Sequence, residues 1–301
     1  MQSAETLPRP EWGRYFALIG GLFVLRLIVD QIAVTNPVVA HIGQVLVTAL
    51  FLIGPIVATF VAARWLNVSR SLVLFLVGVA LHVLGVLASQ AMGKQPSFGK
   101  VVLESLAMAG LSCWTTGLGG LVASIIKDKN LIPPIAIFLA GFDMFLIFNP
   151  TSITQVILKQ KPEVFQAAAY QIPTFGIGPA AYVGPADFFI IGLLFVTIFR
   201  FDMRARATLK WTCITLLAYM LIVLYLGEFS LGPVSLGQLP ALLPIGLTCL
   251  IVNWKEFRMA PAERGMTAFV AVIAMALAGY GIYRASQPAP IVSPAPVNQV
   301  K

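Results

Sequence analysis

The sequence predicts an all-α polytopic membrane protein, a bundle of about nine transmembrane helices, and three observations carry that prediction. Hydrophobic residues make up 58% and charged residues 11% of the 301 positions, against about 25% charged in an ordinary soluble domain. Mean hydropathy is +0.89. The apolar residues fall in runs of about 20, the length that crosses a hydrocarbon core, and Lys and Arg collect in the turns between them. That placement also interprets the net charge of +8: a nucleic-acid partner would meet a basic stripe, whereas turn charges belong to topology in a lipid bilayer.

Taken in order, a polar leader with Arg9, Glu11 and Arg14 precedes a first span at about 15–35, and no small-residue cleavage site follows, so the span reads as a retained helix. Arg26 and Asp30 lie in it at i, i+4, a spacing that pairs them on one face as a neutralised couple facing the bundle. Further spans are expected at about 41–63, 71–92 and 101–126. His82 in the third has no second His or Cys at metal-ligand spacing and reads as a packing residue. Cys113, Cys213 and Cys249 lie in apolar runs and read the same way. No metal or cofactor motif is present.

Five more spans are expected at about 131–149, 179–200, 208–227, 236–253 and 266–284. The long connection 150–178 carries Pro162 ahead of an apolar face at Val164, Phe165 and Ala168, which predicts a short interfacial helix. The tail from Ser286 is Pro-rich and is expected to lack regular structure. No internal repeat is visible. The chain thus divides into an N-terminal four-helix region (1–130), a region with two intramembrane carboxylates (131–253), an additional C-terminal helix (254–285) and the tail (286–301).

Orientation follows from the basic residues. Alternate turns hold Arg9, Arg14, Arg64, Arg70, Lys127, Lys129, Arg200, Arg204, Arg206, Lys210, Lys255, Arg258 and Arg264 on one side, and only Lys94, Lys100, Lys159, Lys161, Arg284 and Lys301 on the other. The positive-inside rule puts the N-terminus in the cytoplasm and the C-terminus outside, for an integral multi-pass protein of the plasma or inner membrane. Trp12, Trp65, Trp211 and Trp254 fall at the cytoplasmic ends of their spans, as interfacial anchors should.

Asp143 and Asp187 lie inside the fifth and sixth spans with no Lys or Arg near enough in sequence to neutralise them, and an ionisable group at that depth is a functional-site hypothesis by default. At 1.5 Å per residue Asp143 lies roughly 18 Å from Leu131 and Asp187 roughly 20 Å from Arg200, both cytoplasmic ends, so the two match in depth. Consecutive spans are often neighbours, and carboxylates meeting across an antiparallel pair would share one proton. That arrangement serves aspartic proteolysis, in which one carboxylate activates water while its protonated partner polarises the carbonyl. It also serves proton- or cation-coupled transport, which spacing alone favours.

The segments around these residues resemble the intramembrane aspartyl proteases of the presenilin and signal peptide peptidase family. The family's Tyr-Asp corresponds to Phe142-Asp143, its Gly-x-Gly-Asp to Gly184-Pro185-Ala186-Asp187, and its Pro-Ala-Leu to Pro240-Ala241-Leu242; Arg200-Phe201-Asp202 is similar to the end of the corresponding helix in the signal peptide peptidase branch. The resemblance covers about 131–253 and implies a presenilin/signal peptide peptidase-like bundle. By that likeness Asp143 and Asp187 would be catalytic, while Phe142, Gly184, Ala186, Pro240, Ala241 and Leu242 would line the substrate. The implied activity is hydrolysis of peptide bonds within transmembrane helices or signal-peptide remnants, on a transmembrane peptide or membrane-protein substrate.

The pattern departs from the family at two positions. Phe142 lacks the tyrosine hydroxyl, and Ala186 replaces a glycine, forbidding backbone conformations that glycine reaches. These changes imply altered substrate preference or a catalytically inactive relative, and transport through the same carboxylates remains the other alternative. Pro240 and Pro244 are expected to keep the local backbone from closing into regular helix. The sequence has four spans before the first aspartate helix where signal peptide peptidases have five, and one more after the Pro-Ala-Leu helix.

Overall fold

The computed structural model describes residues 12–287 apart from 33, 94, 96, 176–180, 227–229, 232, 233 and 236–239. The leader through Glu11, the tail from 288 and the first residues of the expected spans at 179–200 and 236–253 lie outside the described residues. The helices are α1 (Trp12–Val29), α2 (Pro37–Ala63), α3 (Val68–Ala91), α4 (Phe98–Ile125), α5 (Ile132–Phe148), α6 (Ile153–Gln160), α7 (Pro162–Ala168), α8 (Pro185–Arg200), α9 (Ala205–Leu226), α10 (Leu242–Val252) and α11 (Pro261–Ser286). Two antiparallel hairpins accompany them: β1 (Tyr170–Ile172) with β2 (Ala181–Val183), and β3 (Ser230–Leu231) with β4 (Val234–Ser235).

Among the described residues, seven helical stretches are long and apolar enough to cross a membrane: α1 to α4, the stretch Lys129–Gln160 that contains α5, α9 and α11. The chain is a polytopic helical membrane bundle. The expected sixth and eighth spans are shorter, since α8 has 16 residues and α10 has 11. Both are cut at a proline end. Residues 181–183 pair as a strand and α8 starts at Pro185, whose ring is pre-set for a first helical position; α10 starts two residues after Pro240.

The connection 150–178 holds more structure than expected. The helix beginning at Pro162 is there as α7, but α6 precedes it, its amide end capped by Ser152 Oγ, which accepts from Gln155 N–H at 3.2 Å. Hairpin β1–β2 then pairs Gln171 with Tyr182, returning the chain to the start of α8.

Every residue from Ile190 to Ile198 is buried, so α8 is the central helix, apolar on all sides as a core helix must be. It packs chiefly on α4 and α2. The α4 contact is a backbone approach: a Cβ on Gly119 would stand 2.6 Å from the Leu193 nitrogen. Small residues at helix crossings do this work in lipid, where apolar side chains gain nothing by leaving an apolar solvent. At its far end α8 closes with Asp202 at φ +50°, the Met203 N–H donating to Ile198 C=O at 2.9 Å and the Asp202 N–H to Phe199 C=O at 3.3 Å. Arg200-Phe201-Asp202 is therefore a Schellman stop, with Asp in the left-handed position that Gly usually takes.

Helix α5 is gripped on two sides. A Cβ on Gly141 would stand 2.5 Å from the Ala274 carbonyl of α11, and one on Gly246 of α10 would stand 3.2 Å from the Ala136 carbonyl. Arg26, 3% exposed, pairs with Asp30 at 3.8 Å as its spacing predicts. It also reaches Glu104 of α4 at 4.0 Å and donates to the Gln171 carbonyl of β1 at 2.5 Å. One guanidinium thus ties α1 and α4 to the hairpin that leads into α8.

Candidate active site

The two carboxylates arrive by different routes. Asp143 lies well along α5, next to the Gly141 contact that fixes that helix against α11. Asp187 lies in the first turn of α8, not deep in a helix as the expected span 179–200 would have it, because Pro185 starts the helix late. Its separation from Arg200 is unchanged by this. Both side chains are part-buried.

The helices that carry them do not pack broadly against one another, contrary to the simple antiparallel pair expected of consecutive spans. Helix α10 packs on α5 and, more lightly, on α8. Helix α10 thus bridges the two carboxylate-bearing helices.

The Pro240-Ala241-Leu242 stretch reaches this pair through its backbone. Leu242 is the first residue of α10, and the first four N–H groups of a helix have no partner within it. The Leu242 N–H donates to Asp143 Oδ2 at 3.0 Å. Pro244, expected to prevent regular helix, instead sits within the first turn of α10, where its missing N–H costs no bond. Each carboxylate therefore meets the positive end of a helix: Asp143 that of α10, and Asp187 that of its own α8.

No protein-family model, curated protein or solved structure matches the chain.

The remaining motif residues take distinct positions. Gly184 caps α8 at φ −64°, an extended conformation open to any residue, so its small size and not its flexibility is used: a Cβ there would lie 3.3 Å from Asp187 Oδ2. Ala186 is exposed and helical, so the backbone penalty anticipated for replacing glycine does not arise. Phe142 is 38% exposed and stacks between Phe138 and Phe145, at 5.8 and 6.2 Å between ring centroids. Pro240 and Leu242 are buried and Ala241 is part-buried.

Sequence reasoning missed one group. Tyr219 of α9 has a buried hydroxyl with no hydrogen-bond partner among the described residues. No spacing links Tyr219 to Asp143 or Asp187; the only signal in sequence is a tyrosine at mid-span, which is a weak one.

Proposed function

We propose that the chain is an intramembrane-cleaving aspartic endopeptidase of the presenilin/signal peptide peptidase type. Its substrates are transmembrane peptides, signal-peptide remnants or membrane proteins. One observation carries the reading: the Leu242 amide of Pro240-Ala241-Leu242 donates to Asp143, and the helix that it begins packs on both α5 and α8, the helices that carry Asp143 and Asp187. These contacts support a site drawn from three motifs far apart in sequence.

In this reading the pair holds one proton. The ionised carboxylate takes a proton from water as the water oxygen bonds to the scissile carbonyl carbon, and the protonated partner donates a hydrogen bond to the carbonyl oxygen. Collapse of the tetrahedral species breaks the C–N bond, and the proton passes to the leaving nitrogen. A helical substrate must first unwind, since its carbonyls are tied in i to i−4 bonds and lipid offers no replacement. Pro240, Ala241 and Leu242, together with Gly184, Ala186 and Phe142, would border the unwound segment. The N-terminus faces the cytoplasm and the C-terminus the outside.

The test is cleavage of helical membrane peptides by purified protein in detergent, with a transition-state-mimicking aspartic protease inhibitor as control. Asp143→Asn and Asp187→Asn should each remove essentially all cleavage, and the double variant should be no worse, because groups that act as one unit are not additive. Cleavage persisting in either single variant would sink the dyad. Absence of wild-type cleavage together with absence of inhibitor binding would favour transport or an inactive relative.

A further inference from the structure

Helices α9 and α10 run antiparallel in a register that two side-chain bonds define. Asn253 Nδ2 donates to Thr208 Oγ1 at 2.8 Å, and Thr248 Oγ1 donates to Thr215 Oγ1 at 3.2 Å. Tyr219 lies one turn beyond Thr215 on the same face of α9. Continuing the register sets it level with Leu243, beside the Leu242 amide that holds Asp143.

Tyr219 is part-buried but its hydroxyl oxygen is fully covered and unpaired, which is unusual because buried hydroxyls are almost always paired. Asp143 Oδ2 accepts one bond, from Leu242. An ionised carboxylate accommodates about four, so acceptor capacity remains on Asp143. The aromatic ring next to Asp143 in sequence supplies no hydroxyl, since residue 142 is Phe and its ring stacks outward on Phe138 and Phe145.

We infer that Tyr219 is a positioning residue of this site: its hydroxyl, unpaired in this structure, is the donor on α9 that closes on the Asp143/Asp187 pair when one of the two carboxyls ionises. The inference rests on the proposed proteolytic reading for its role in rate, though not for the bond itself. The bond holds the accepting carboxylate in one orientation and steadies its negative charge while the other carboxyl keeps the proton.

Tyr219→Phe deletes the oxygen and keeps the ring, so thermal stability should hold. Two readouts decide the matter. With a cleaved peptide, kcat should fall about ten- to a hundredfold at unchanged KM, the loss of a hydrogen bond to a charged group, and the pH profile should move. In infrared difference spectra with isotope-labelled aspartate, the protonated carboxyl band should shift in Tyr219→Phe and vanish in the Asp143→Asn/Asp187→Asn double variant. A Tyr219→Phe protein with wild-type kcat, pH profile and carboxyl band overturns the inference. If wild-type protein cleaves nothing, the proteolytic reading fails by itself and the band alone decides: a shifted band upholds the hydroxyl–carboxylate bond, and an unshifted one overturns it.

Discussion

Replacing Asp143 by Ala and by Asn separates what the carboxylate does for the fold from what it does for chemistry. Both substitutions remove the charge, so every term arising from repulsion of Asp187 or from the field of the α10 helix end cancels between them. What differs is the acceptor for Leu242 N–H, bonded to Asp143 Oδ2 at 3.0 Å. An Asn side-chain oxygen can take that bond; Ala leaves the amide without it, at a helix start whose first N–H groups have no partner within the helix. An unsatisfied buried donor costs about 1–3 kcal/mol, and the vacated side-chain volume adds to that. Asp143→Asn should therefore unfold close to wild type in detergent, and Asp143→Ala should be less stable than Asp143→Asn by about 1–3 kcal/mol. Thermal unfolding of the purified variants measures the difference. Equal stability within about 0.5 kcal/mol would mean that the amide finds another partner and that the Pro240-Ala241-Leu242 contact is incidental.

Two further outcomes come from other parts of the bundle. Arg26→Met strands Asp30, Glu104 and the Gln171 carbonyl together and should cost about 3–5 kcal/mol, the usual result of breaking a buried ion pair. Adding Asp30→Asn and Glu104→Gln should restore much of that stability, and no recovery in thermal unfolding would show that the cost lies elsewhere. Reporter fusions at Lys129 and Lys301 should report opposite sides of the membrane, as the basic-residue asymmetry requires; the same side for both would overturn the proposed orientation.

The helices were legible because period and length are local properties. Each of the nine expected spans corresponds to a helix, and Pro162 marked α7. What failed was where helices begin near the carboxylates. The apolar run ahead of Asp187 reads as helix, but Ala181–Val183 pairs with Tyr170–Ile172, and long-range strand pairing outweighs local propensity. Glycines 119 and 141 were visible only as small residues; that they are crossing points of α4 with α8 and of α5 with α11 depends on which helices meet. The carboxylates stood out by their cost in an apolar run, whereas the Leu242 amide has no side-chain signature and Tyr219 lies 32 and 76 residues from Asp187 and Asp143.

The same geometry offers a way to tell a fixed hydrolytic site from an alternating-access transporter. A transporter must change the exposure of its carboxylates in each cycle, which requires elements around the site to rock apart. Here the Leu242–Asp143 contact joins α5 to α10, and these helices also touch where an ideal Cβ on Gly246 would stand 3.7 Å from the Cβ of Ala136. That separation lies within the Cβ–Cβ range of a disulfide, about 3.5–4.5 Å. Ala136→Cys with Gly246→Cys, in a background where Cys113, Cys213 and Cys249 are replaced, should oxidise to a bridge. Residue 136 is about 10 Å along α5 from Asp143, so the bridge leaves the carboxylates untouched. If the Leu242–Asp143 bond is part of a preformed hydrolytic site, the oxidised protein should cleave peptide at nearly the rate of its reduced form. A transporter locked there should stop and should resume on reduction. Loss of cleavage on oxidation, reversed by reductant, would mean that α10 must move away from α5 during turnover, and the preformed site would have to be given up.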